Sequence, residues 1–178
     1  MLKKSIYPKT ERLSLKNVVY ITEKLDGENL SIFKINDKLY VATRGCIINV
    51  SDDFEEDKGY FYKGLHPWLL EHKQWLLDNL YPNSVLCGEW LGGGYLNYGQ
   101  EMTNDRFYMF AKANVDEEMS LHRIKYDHSL FRFPFTNINP EQDIPDFIKI
   151  VPEVKTLQNI PTVDELDKLY DEYKNIVQ

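Results

Sequence analysis

Three runs near the start of the chain, "NVVYITEKL", "ENLSIFKIN" and "KLYVATRG", are dense in β-branched and aromatic residues, the composition that fits a pleated, half-buried surface. Asn36-Asp37 between the last two supplies a hairpin turn, because both residue types tolerate a left-handed backbone. The first sixty residues therefore read as an antiparallel meander. "HPWLLEHKQWLLDNL" then changes period: Trp68, Leu69, Trp75, Leu76 and Leu80 recur at helical spacing, with Pro67 at a first-turn position. This helix is expected to cover the sheet. "SVLCGEWL" and "RFYMFAKA" return to strand-like composition, and 120–161 reads as irregular, broken by Pro134, Pro140 and Pro145. In "TVDELDKLYDEYKNIV", Thr162 and Glu165 stand in capping-box register, and Val163, Leu166, Tyr170, Tyr173 and Val177 fall on one side of a closing amphipathic helix.

Composition narrows the classes. With 178 residues, 43% of them hydrophobic, the chain can bury one sizeable core, so 1–178 is expected to be a single α+β domain. Twenty-one Lys+Arg against 28 Asp+Glu give a formal charge of −7, which excludes a surface built throughout for nucleic acid and leaves room for a local basic strip. Lys3, Lys4, Lys9, Arg12, Lys16, Lys34 and Lys38 are its candidates. Cys46 and Cys87, both in apolar runs, suit reduced thiols rather than a disulfide framework, and no apolar run reaches the length of a membrane span, so the cytoplasm is the expected location. His66, His72, His122 and His128 have no metal-ligand spacing, and Gly92 to Gly94 lacks the lysine of a phosphate-binding loop.

Candidate chemistry centres on "TEKLDGENLSIF", where Lys24 precedes an Asp26-Gly27 turn. Among Val19, Ile21 and Leu25 its amine is expected in a partly desolvated setting, where its pKa falls and a neutral nucleophile becomes available. The same tetrapeptide also fits a solvated surface turn. Arg44 in "ATRG" offers a guanidinium fork for phosphate or ribose oxygens, Glu89 in "LCGEWLGG" is a carboxylate in an apolar strand that needs a partner, and the aromatics of "FYMF" serve either as core or as a stacking surface.

Taken in order, "EKLDG", Arg44, "CGEW" and "FYMF" resemble successive motifs of the covalent nucleotidyltransferases, and the chain is most similar to the RNA ligase 2-like RNA-repair ligases, with Asn29 in "GENL" adding to that likeness. The resemblance covers about 15–115 and implies an ATP-grasp-like adenylation domain. In it, Lys24 takes AMP from ATP as a lysyl-AMP. Asp26 and Glu89 would hold Mg2+ through waters, Glu23 would sit beside the base, Gly27 and Arg44 at the nucleotide, Phe110 against adenine, and Asn29 and Arg44 at the RNA end. RNA ends in a nicked or bridged duplex are the implied partners. Two later motifs of such ligases, a Glu-Gly strand and a Lys-x-Lys strand, do not occur in this sequence. The expectation is a chain impaired by itself and completed by a second chain or a further C-terminal segment. A capping-type guanylyltransferase and a non-catalytic nucleotide- or RNA-binding remnant remain alternatives.

Overall fold

The computed structural model describes residues 19–43, 47–50, 64–81, 84–92, 98, 106–114 and 144–174. They belong to two compact units, a larger one within Asp26–Ile150 and a smaller one that takes Val19–Leu25 together with Val151–Lys174.

The larger unit is built on a six-stranded sheet in the order β4-β3-β2-β5-β6-β7. Its strands are β2 (Glu28–Ile35), β3 (Lys38–Ala42), β4 (Ile47–Asn49), β5 (Ser84–Trp90), β6 (Phe107–Asn114) and β7 (Lys149–Ile150), with β1 reserved for Val19–Thr22 in the smaller unit. All neighbours are antiparallel except β6 and β7. Asn36 and Asp37 have φ of 48° and 57°, the two positive values of the tight hairpin turn expected there. Helix α1 (Leu65–Asn79) buries Leu65, Trp68, Leu69 and Leu76 against one face of the sheet. Leu30 and Ile32 of β2, Leu39 and Val41 of β3, Leu86 and Trp90 of β5, and Phe107 and Met109 of β6 answer from that face. Alternation thus assigns Asn29, Ser31, Phe33, Cys87, Glu89 and Tyr108 to the opposite face.

The smaller unit pairs β1 with β8 (Glu153–Leu157) as an antiparallel two-stranded sheet, followed by α2 (Val163–Tyr173). Two expectations are corrected here. Val19–Thr22 leaves the meander and takes Glu153–Leu157 as its partner, and the chain from Glu23 to Gly27 between it and β2 is not strand. The stretch read as irregular also contains β7 and β8. Pro152 and Pro161 flank β8 without interrupting it, so the prolines mark the ends of a short strand rather than a loop throughout.

The capping box of α2 is present in full: Glu165 N–H donates to Thr162 Oγ1, and Thr162 N–H donates to the Glu165 carboxylate at 2.7 Å. Its apolar side differs from expectation. Val163, Leu166 and Tyr170 are 72%, 44% and 70% exposed, and the half-buried positions are Leu169 and Tyr173. No helix among the described residues is long and apolar enough to cross a membrane.

Candidate functional site

The smaller unit carries the nucleophile candidate. Between Ile21 and Leu25 the chain alternates, with Ile21, Glu23 and Leu25 turned inward and Thr22 and Lys24 outward. Lys24 is therefore solvent-exposed, which corrects the expectation of a desolvated amine: alternation about the buried Leu25 puts the lysine on the wet side. It still lines a cavity of 460 Å³ whose walls are mainly apolar, among them Ile21, Val154, Leu166, Leu169 and Tyr170. Glu23 lines the same cavity, its backbone N–H donates to the Pro152 carbonyl at 3.0 Å, and partial burial lifts its carboxyl above the ordinary value.

Asp26 and Gly27 begin the larger unit, and the turn is held from two directions. Asp26 N–H donates to the phenol oxygen of Tyr98. At Gly27 a Cβ would stand 2.7 Å from the Trp90 carbonyl oxygen and 2.9 Å from Leu91 Cδ2, so the chain passes too close to the end of β5 for any side chain. The glycine of the motif is required by backbone approach. Two residues on, Asn29 is the direct antiparallel partner of Glu89, and Glu89 is in turn the direct partner of Tyr108. Direct partners share a face at a Cβ separation of about 5 Å. Asn29 and Glu89, singled out separately in the sequence, thus stand side by side on the face away from α1.

Phe110 stands at an irregularity of β6. Between Cys87 and Gly88 the β5–β6 register slips, Cys87 opposing Ala111 and Gly88 opposing Met109, which makes Phe110 the extra residue of a β-bulge. Gly88 permits the approach, since a Cβ there would lie 2.5 Å from the Tyr108 carbonyl oxygen. Phe110 remains half-buried while its strand neighbours Tyr108, Met109 and Ala111 are buried. Arg44, Cys46, Lys3, Lys4, Lys9, Arg12 and Lys16 lie outside the described residues. Of the remaining basic-strip candidates, Lys38 is exposed, but Lys34 is not a surface cation: its Nζ donates to the Leu77 carbonyl at 2.7 Å, on the α1 side of the sheet. Tyr108 is the residue missed in the sequence. Its place beside Glu89 depends on register between distant strands, and no local signal carries that.

Asp26 and Glu89 fit a hard divalent cation by donor type, both being carboxylates. Among the described residues no group of three or more His, Cys, Asp or Glu gathers to form a cage.

Residues 17–175 match the family described as RNA ligase. The chain belongs to the RNA ligase family. No curated protein matches the sequence. Among solved structures it is similar to an apo Naegleria gruberi RNA ligase mutant, at 19% identity and TM-score 0.48 over 84% of this chain and 40% of that one. A Naegleria gruberi RNA ligase mutant solved with ATP and Mn is similar at 16% identity and TM-score 0.46, over 90% of this chain and 46% of that one. The RNA ligase chain thus spans less than half the length of either.

Proposed function

We propose that this RNA ligase family chain is an ATP-dependent adenylation module in which Lys24 becomes covalently attached to AMP. The pairing of Asn29 with Glu89 on the sheet face away from α1, in a chain of this family, is the observation that supports the reading most directly. The Lys24 amine attacks the α-phosphorus of ATP: a P–N bond forms, the bond to the β-phosphate oxygen breaks, pyrophosphate leaves and the amine gives up a proton. An RNA 5′-phosphate oxygen then displaces the lysine, and a 3′-hydroxyl displaces AMP to seal the strand. Asp26 and Glu89 would hold magnesium through waters, and the ion would supply charge neutralisation at the phosphates. In this reading Glu23 would lie beside the base, Gly27 and Arg44 would serve the nucleotide, Phe110 would stack on adenine, and Asn29 and Arg44 would serve the RNA end. The reduced, buried Cys87 accords with a cytoplasmic setting.

An exposed Lys24 and the missing Lys-x-Lys strand both work against activation of the amine. The reading is therefore of a chain that labels slowly alone and rapidly once a second chain or further segment supplies those cations. Intact-mass measurement after incubation with ATP and magnesium is the test. An added AMP that disappears in Lys24→Ala supports the ligase reading, and an added GMP from GTP alone would make the chain a guanylyltransferase. Nucleotide binding with no adduct, even beside a supplied Lys-x-Lys segment, would make it a binding remnant.

A further inference from the structure

The Asn29–Glu89–Tyr108 row does not end at β6. Tyr108 is also the register partner of Lys149 on β7, so four strands contribute an amide, a carboxylate, a phenol and an ammonium to a single line across one face. The position of Lys149 is fixed from the other side of the sheet. Ile148 is 4% exposed in the core, its N–H donates to the Pro145 carbonyl, and Phe147 stacks on His72 at 3.8 Å between ring centres and meets Trp75 edge-on at 5.3 Å. With Ile148 held toward α1, alternation gives Lys149 to the Glu89 face.

Lysine on an edge strand often serves only to blunt the edge against other chains. Such a lysine is usually exposed, whereas Lys149 is half-buried. On its face Ser31, Phe33, Cys87 and Tyr108 are buried, and Asn29, Glu89 and Lys149 are half-buried. Adjacent strands are about 4.8 Å apart, so Lys149 starts about 10 Å from Glu89, and its four-carbon stem can carry the ammonium over Tyr108 toward it.

We propose that Lys149 is a phosphate-binding residue of this face, a point charge that holds a phosphate oxygen beside Glu89. The inference rests on the nucleotidyltransferase reading and names a cation for it that lies outside the motifs found in the sequence. The phosphate belongs either to the nucleotide or to the RNA 5′ end, both presenting the same oxyanion. Titration calorimetry with Mg-ATP, with a 5′-phosphorylated oligoribonucleotide and with its 5′-hydroxyl counterpart separates the two, using wild type, Lys149→Met and Lys149→Arg. Loss of one charge-assisted contact should weaken the phosphate-bearing ligand about tenfold or more in Lys149→Met, with Lys149→Arg close to wild type and the 5′-hydroxyl strand unaffected. A loss confined to ATP assigns the nucleotide phosphate, and a loss confined to the phosphorylated strand assigns the RNA end. Equal affinities for wild type and Lys149→Met, with or without a change in melting temperature, overturn the proposal and leave an edge-blunting lysine. A wild-type chain that binds neither phosphate ligand overturns the functional reading and this inference together.

Discussion

Gly27 shows how much of a motif is steric. Its missing Cβ lets the Asp26 turn lie against the Trp90 carbonyl at a distance no side chain could share. Gly27→Ala must move backbone, so a loss of about 1–3 kcal/mol is expected, as for overpacked interiors, together with weaker nucleotide binding. Thermal unfolding and nucleotide titration of the same variant check both. The Asp-Gly turn was legible in the sequence, but its reason, the end of β5 sixty residues later, was not. Cys87 makes the opposite point, since its burial was read correctly from an apolar run. Burial pushes its thiol up to about 12, offset slightly by Ser31 Oγ, which donates to the sulfur at 3.8 Å. A thiol raised in the folded state contributes stability that is whole below the unfolded value and is lost as pH climbs from about 9 toward 12. Cys87 should therefore resist alkylation at pH 8 in the folded chain and react promptly in denaturant, and Cys87→Ser should flatten the alkaline loss of stability.

At the level of elements, α1 was readable because large apolar residues recur at helical spacing along its 15 residues, and Leu69, fully buried on it, carries a defined expectation. Leu69→Ala should cost about 2–5 kcal/mol in denaturant unfolding. β8 was unreadable because five residues between prolines show little period, and its partner β1 lies more than a hundred positions away. For α2 the N-terminal signal was clear and the buried side was not, since Leu166 and Tyr170 share the helical period with Leu169 and Tyr173. Its cap is pH-sensitive. The Thr162 backbone N–H, then its hydroxyl, lower the Glu165 carboxyl, so the cap is intact above the ordinary carboxylate value and is lost as pH falls through the lowered one. Circular dichroism at 222 nm should lose helix on acidification in wild type and show a shallower acid transition in Glu165→Gln.

Across the whole molecule, the Lys-x-Asp-Gly motif spans two compact units: Lys24 belongs to the smaller and Asp26 to the larger. Length and composition anticipated an α+β chain with a sizeable core, and the core of the larger unit is its α1-covered face. They carried no sign of the second unit, because β1 and β8 are short and α2 buries no residue fully. All three tryptophans, Trp68, Trp75 and Trp90, lie in the larger unit, and Trp68 meets Trp90 edge-on at 5.5 Å. The indoles therefore act as a built-in optical reporter. Emission excited at the red edge of absorption, where tyrosine is silent, follows the larger unit alone, while far-ultraviolet ellipticity also records α2. Superimposable melting curves from the two signals would mean one cooperative transition, and separated curves would mean that the part of the chain bearing Lys24 melts on its own schedule.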